Sequence, residues 1–199
     1  MTISSNIIDY YFSVSSSWSY IGSERFQSLV DTHNVSVRYH PLLSPDLFPA
    51  TGGLLLNDRA QHRKDYRITE LKRWRDYLGI EIQLEPKYFP VPETIASQMV
   101  LACEDPGALT SALLRAVWKE DRDVSDLKTL MEIANHVGLD GPALIAKSQT
   151  DAYAQAVKDE TQAAIAAGVF GYPSYVYKGE LFWGQDRLDF LERALEKNA

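Results

Sequence analysis

Two β-rich segments, one at each end of the chain, enclose residues 51–167, whose pattern is helical, and this arrangement limits the possible folds more than any other feature. At the N-terminal end, residues 6–14 (NIIDYYFSV) are rich in β-branched and aromatic side chains, and the serines after them lead into a helical pattern through Tyr20, Ile21, Leu29 and Val30. His33 and Asn34 close that helix. Val35, Val37 and Tyr39 then alternate with Ser36, Arg38 and His40 as far as Pro41, as a second strand would. The opening therefore reads as a βαβ unit with parallel strands. At the other end, Ser174 to Tyr177 and Glu180 to Trp183 form a hairpin about the Lys178-Gly179 turn. A terminal helix follows, with Leu188, Leu191, Ala194 and Leu195 on its apolar face and Asp186 as its expected N-cap.

Between these ends, Ser44 to Gly53 (SPDLFPATGG) is rich in Pro and Gly and reads as a loop and a domain boundary. In the next helix Tyr66, Leu71, Trp74 and Leu78 share one face, with Lys64, Arg67, Glu70 and Arg73 largely off it. Further helices are expected around Ala96 to Cys103, after an Asp105 cap with Pro106 at the first position, from about Ser125 to Gly138, and from about Thr150 to Ala167. No fixed period recurs, so this is a helical block and not a repeat array. The order βαβ, helical block, ββα is that of an α/β, thioredoxin-like fold. Residues 1–50 and 168–199 would form the discontinuous thioredoxin-like domain, and residues 51–167 an inserted all-helical domain.

The formal net charge of -7 disfavours nucleic acid or an anionic membrane as partner, since either requires a basic surface. The first residues lack a basic region followed by an apolar run, and no stretch approaches the roughly 20 apolar residues that span a bilayer, so a cytoplasmic protein is expected. The single cysteine, Cys103, ends an apolar run from Met99, where a buried, unreactive thiol is the ordinary reading. His33, His40, His62 and His136 are scattered without metal-ligand spacing, and no metal is expected.

Three short segments can carry chemistry. Ser15-Ser16-Ser17 stands where a strand meets a helix; a hydroxyl there either caps the helix or hydrogen-bonds an anion held by the free N–H groups. In Gly171-Tyr172-Pro173-Ser174 a proline begins a strand. If its peptide bond is cis, the Tyr172 backbone is left open to a peptide-like ligand; if trans, the proline merely ends a loop. Gly184-Gln185-Asp186-Arg187 is a further helix start, either a plain capping turn or a site for a zwitterion.

Together, DYYFSVSSSWSYIG, KDYRITELKRW and above all GVFGYPSYVYKGELFWGQDRLDFLERAL resemble the 2-hydroxychromene-2-carboxylate isomerases and kappa-class glutathione transferases of the DsbA-like branch of the thioredoxin superfamily. The resemblance implies glutathione as cofactor. It places Ser16 at the glutathione sulfur, Tyr172 and Pro173 at its cysteinyl backbone, Gln185 and Asp186 at its γ-glutamyl end, and Lys64 of the K-x-Y motif near glutathione and substrate. It also implies a homodimer. Three positions depart from the family pattern: Ser17 where proline is usual, Gly53 where asparagine often follows A-T-G, and Glu70 where aspartate is usual.

Dithiol exchange requires C-x-x-C, and the corresponding residues are Ser16-Ser17-Trp18-Ser19, so any thiol chemistry must use a borrowed thiol. The expected reaction is a glutathione-dependent cis/trans isomerisation of a small aromatic keto acid. Lys64 or Arg67 would steady its carboxylate, unless each simply belongs to a solvated face. Phe48, Trp74 and Tyr88 suit an aromatic ligand, or belong to the core. The alternatives are a kappa-like transferase or peroxidase, and a non-catalytic binding module.

Overall fold

The computed structural model describes residues 6–197. Strand β1 (Ile7–Phe12) is followed by helix α1 (Ser17–His33) and strand β2 (Ser36–Pro41). Helices α2 (Ser44–Thr51), α3 (Gln61–Leu78), α4 (Thr94–Ala102), α5 (Gly107–Trp118), α6 (Leu127–His136), α7 (Gly141–Ser148) and α8 (Asp151–Ala166) come next. Strands β3 (Ser174–Tyr177) and β4 (Glu180–Trp183) and helix α9 (Leu188–Glu196) complete the chain. The four strands form one sheet in the order β2-β1-β3-β4, with β1 parallel to β2 and antiparallel to β3. This is an α/β, thioredoxin-like fold whose two β-rich halves are separated in sequence by helices.

Alternation in β1 decides what each face of the sheet meets. Ile8, Tyr10 and Phe12 are buried, and Tyr10 packs on Phe26 of α1 and stacks on Tyr175 of β3. The alternate residue Tyr11 instead stacks on His40 and joins a smaller cluster with Leu42, Leu47 of α2 and Ala164 of α8. Lys178 and Gly179 both have positive φ, the geometry that closes a two-residue hairpin with the twist of its strands.

Several expectations of local structure need correction. Ser44 to Thr51 is helical, because Pro45 lies at the start, where its missing N–H costs nothing. Gly52 ends the helix at φ 79 with its N–H on the Phe48 carbonyl. Pro106, not Asp105, occupies the N-cap position of α5, and α6 is capped by the Asp126 side chain on the Thr129 N–H. Asp186 does not cap α9: Gln185–Arg187 forms a separate 3-10 turn, and α9 starts after it. On α3 the inward stripe holds Leu71, with Arg67 and Trp74 half-buried beside it, whereas Tyr66 is exposed.

His40 links the sheet to the helices. Its Nδ1 lies 2.6 Å from Glu160 of α8 and its Nε2 3.0 Å from Asp9 of β1. Burial opposes a charge on this ring, but the two hydrogen-bonded carboxylates outweigh it and hold its pKa above the ordinary value. A raised folded-state pKa gives a contribution that is fully present below the unfolded value of about 6.5 and is lost as pH rises through the folded value. In urea unfolding across pH, the stability gap between the wild type and His40→Gln is therefore expected to be widest below about pH 6.5 and to narrow at alkaline pH; a gap independent of pH would contradict this linkage.

Candidate active site

Ser16 sits at the N-cap of α1 with extended backbone, and its Oγ accepts the Ser19 N–H at 3.1 Å. The Tyr20 N–H reaches the Ser16 carbonyl, while the N–H groups of Ser17 and Trp18, ahead of it in the first turn, have no acceptor among the described residues. These donors carry the positive end of the helix dipole into a cleft of about 1110 Å³, lined on this side by Ser15, Ser16, Ser17 and Trp18.

The neighbouring serines are not equivalent. Ser15 donates its hydroxyl hydrogen to Glu93 at 2.9 Å, so that hydrogen is committed. Ser17 accepts from Arg67 Nη2 at 3.0 Å, and Ser16 accepts from Ser19, so both keep a hydroxyl hydrogen for an acceptor in the cleft. Proline at position 17 would offer Arg67 no acceptor. The departure at Ser17 thus anchors a guanidinium at the mouth of α1.

Glu93 was not identified from sequence. It is 5 % exposed, yet its carboxylate is fully engaged: one oxygen accepts the hydroxyls of Ser13 and Ser15, the other the N–H and hydroxyl of Ser44 at 2.7 and 2.6 Å. Because Ser44 spends its one hydrogen on Glu93, the Tyr172 hydroxyl must donate to Ser44 Oγ, 2.7 Å away. Burial, and after it the Glu93 charge, push the Tyr172 phenol well above its ordinary pKa, so it stays a neutral donor. A buried carboxylate is tolerable only with such a set of donors, and this one joins the start of α1, the start of α2 and the residue before Pro173. Trp118 adds a further tie, its indole N–H reaching the Ser15 carbonyl at 3.2 Å.

The Tyr172–Pro173 peptide bond is cis. Pairing between β1 and β3 ends at Ser174, and neither the N–H nor the C=O of Tyr172 finds a backbone partner among the described residues. The Pro173 carbonyl accepts the Gly184 N–H at 2.8 Å, which binds the third sequence motif to the second. Gly184 has φ 105, and a Cβ there would lie 2.5 Å from Asp186 Oδ1, so this turn requires glycine. Gln185 is buried against α1: a Cβ on Gly22 would meet its Cβ at 2.8 Å, and its side-chain carbonyl accepts from Arg25. The half-exposed Asp186 carboxylate pairs with Arg187 at 2.8 Å.

Not every candidate reaches the cleft. Lys64 is placed with its ammonium on the Asn57 carbonyl at 2.9 Å, and Glu70 pairs with Arg73; neither lines the cleft. Arg67 does line it, with Phe89 and Trp118 flanking its guanidinium at 5.2 and 5.4 Å. Burial and then the nearby Arg59 charge pull its pKa down to about 10, so it remains a cation at neutral pH. Phe48 lines the cleft, but Trp74 and Tyr88 do not. Phe48 also accounts for Gly53, since a Cβ at 53 would lie 2.6 Å from the Phe48 ring. Cys103 is half-buried, with its thiol donating to the Asp105 carbonyl and its pKa pushed up by burial.

A sheet flanked by helices, a serine at the N-terminus of the first helix and a cis-proline directly after Tyr172, which lines the same cleft as that serine, define a protein of the thioredoxin fold. The chain belongs to the DSBA-like thioredoxin domain family, whose model matches residues 7–196. It is 28% identical to the 2-hydroxychromene-2-carboxylate isomerase of Pseudomonas putida, covering 95% of this chain and 94% of that one. It is 23% identical to human glutathione S-transferase kappa 1, covering 94% and 90% of the two chains. The solved structure of a 2-hydroxychromene-2-carboxylate isomerase superposes with a TM-score of 0.83 at 24% identity, over 96% of this chain and 95% of that chain.

The Glu93 network yields a direct stability test. In Glu93→Gln one oxygen becomes an NH₂ that faces donors. The variant is expected to lose about 2–3 kcal/mol in denaturant unfolding, the scale of lost hydrogen bonds to a charged group; an unchanged unfolding midpoint would show that the network contributes no net stability.

Proposed function

We propose that this protein is a glutathione-dependent cis/trans isomerase of small aromatic keto acids, similar to the 2-hydroxychromene-2-carboxylate isomerases. The observation that carries the reading is Ser16, whose free hydroxyl hydrogen stands beside unpaired first-turn N–H groups and opposite the open Tyr172 backbone. The residues fit the tripeptide: Tyr172 offers the unpaired N–H and C=O of an open strand edge, and the Asp186 carboxylate is accessible to an ammonium.

When bound, glutathione supplies a thiolate that adds reversibly to a conjugated carbonyl, opens rotation about the former double bond and is released unchanged. The protein's part is to hold that sulfur charged and the substrate oriented. Ser16 donates a hydrogen bond toward the sulfur, and the α1 N-terminus adds its field, lowering a thiol pKa of about 8.5 toward neutral. Tyr172 pairs through its backbone with the cysteinyl residue next to Pro173, and Asp186, from outside the cleft lining, holds the γ-glutamyl end, with Gln185, buried and bonded to Arg25, fixing the turn that carries it. Arg67 takes the substrate carboxylate, which supplies the counter-charge it lacks. Lys64 reaches the ligand only by giving up its bond to Asn57. A cytoplasmic, homodimeric protein completes the proposal.

The kappa-class relatives favour one second reading, in which the same thiolate attacks an electrophile and stays attached. Conjugation of a chlorinated nitroaromatic compound, with thiol consumed, would decide for it.

The isomerase reading is tested by following absorbance as 2-hydroxychromene-2-carboxylate equilibrates with its ring-opened benzylidenepyruvate, with and without glutathione. Turnover is expected with glutathione alone. Ser16→Ala is expected to keep its circular dichroism spectrum and lose about 100-fold in rate, the scale of removing one donor from a developing or stabilised anion; an unchanged rate would refute the role of Ser16.

A further inference from the structure

Of the eleven arginines in the sequence, seven form an ion pair with a carboxylate among the described residues. The four that do not are Arg59, Arg63, Arg67 and Arg193, and the first three all line the cleft. In a chain with 27 acidic side chains against 20 basic ones, this clustering runs against the overall charge. The three stand four residues apart, a spacing that sets Arg63 and Arg67 one above the other on α3, with Arg59 just before the helix.

The row is held together without a counter-ion. Arg59 donates to the Leu54 carbonyl at 2.9 Å and lies over the Phe48 ring, while Arg67 is fixed by Ser17, Phe89 and Trp118. The side chain of Arg63 is exposed and has no hydrogen bond or ion pair among the described residues. Asp46 and Asp58 also line the cleft, but neither pairs with the row, and the Glu93 carboxylate is saturated by its four donors. Arg59 is close enough for its charge to act on both Arg67 and the Tyr172 phenol, so the like charges feel one another. One substrate carboxylate on Arg67 leaves two guanidiniums that the substrate itself does not meet.

We propose that Arg63 and Arg59 form a second carboxylate-binding subsite beside Arg67, so that the cleft takes an aromatic keto acid bearing a second carboxylate. This rests on the reading above for the assignment of the first carboxylate to Arg67. The cleft suits the class: Phe48 and Phe89, whose rings lie by the guanidiniums at the two ends of the row, also line it and offer apolar faces to an aromatic acid. Guanidinium forks grip carboxylates in bidentate fashion, so the subsite selects a planar acid over a simple halide.

The test reads binding without turnover, through the fluorescence of Trp18 and Trp183, both of which line the cleft. Phthalate, isophthalate and terephthalate are titrated against benzoate into the wild type, Arg63→Gln and, as a control outside the cleft, Arg193→Gln. In the wild type at least one dicarboxylate is expected to bind about tenfold more tightly than benzoate, equivalent to about 1.4 kcal/mol. Arg63→Gln is expected to abolish that preference while leaving benzoate affinity unchanged, and Arg193→Gln to change neither. Equal affinities in the wild type, or a preference that survives Arg63→Gln, would overturn the proposal. Glutathione is titrated into the same proteins, and a loss in Arg63→Gln confined to glutathione would reassign the residue to the tripeptide and overturn the proposal equally. Failure of the isomerase assay, by contrast, leaves this binding result standing.

Discussion

The geometry of the cleft depends on a buried carboxylate. Glu93 receives hydroxyl and amide donors from the turn before α1 and from the start of α2, and through Ser44 it fixes the hydroxyl of Tyr172 beside the cis-proline. These segments belong to different parts of the chain and are joined here by charge-assisted hydrogen bonds in a site shielded from water. An uncompensated charge there would cost more than the fold could tolerate, so the four donors are a condition of Glu93 being present at all.

The same network sets which hydroxyls remain free at the cleft. By consuming the Ser15 hydroxyl it leaves Ser16 and Ser17 as the hydroxyl donors of the α1 N-terminus, and Ser17 is drawn to Arg67. One wall of the cleft is therefore a donor-rich helix end suited to a thiolate, and the other carries guanidiniums suited to a carboxylate. That division is what the proposed reaction, a borrowed thiolate meeting an acidic aromatic substrate, requires.

The sheet was legible because its signals are local: alternation in β1 and β2, the Lys178-Gly179 turn and the heptad-like leucines of α9 all lie within a few residues of one another. Ser16 and Tyr172, which line the cleft, and the cis-proline Pro173 stand in short motifs whose signal is likewise local. Helix α2 is hidden in the sequence by its Pro and Gly, which are loop formers in general but stand here, as Pro45 and Gly52, where helices begin and end. Arg67 lies largely off the stripe that the apolar residues of α3 trace, and its half-buried place shows only in the fold, where its guanidinium lies over Phe89 and Trp118. Glu93 left no local trace: its serine partners lie 49, 78 and 80 residues away, and a glutamate after Pro92 looks like any loop residue until the chain is folded.

The account stands on Ser16 and the α1 N-terminus holding a bound thiol in its charged form. The most direct measurement is a pH titration of the ultraviolet thiolate absorbance of glutathione bound to the protein, in the wild type and in Ser16→Ala. The account predicts an apparent pKa clearly below the free-thiol value of about 8.5 in the wild type, and a return toward that value in the variant. Bound glutathione that titrates like free glutathione in both proteins would contradict it.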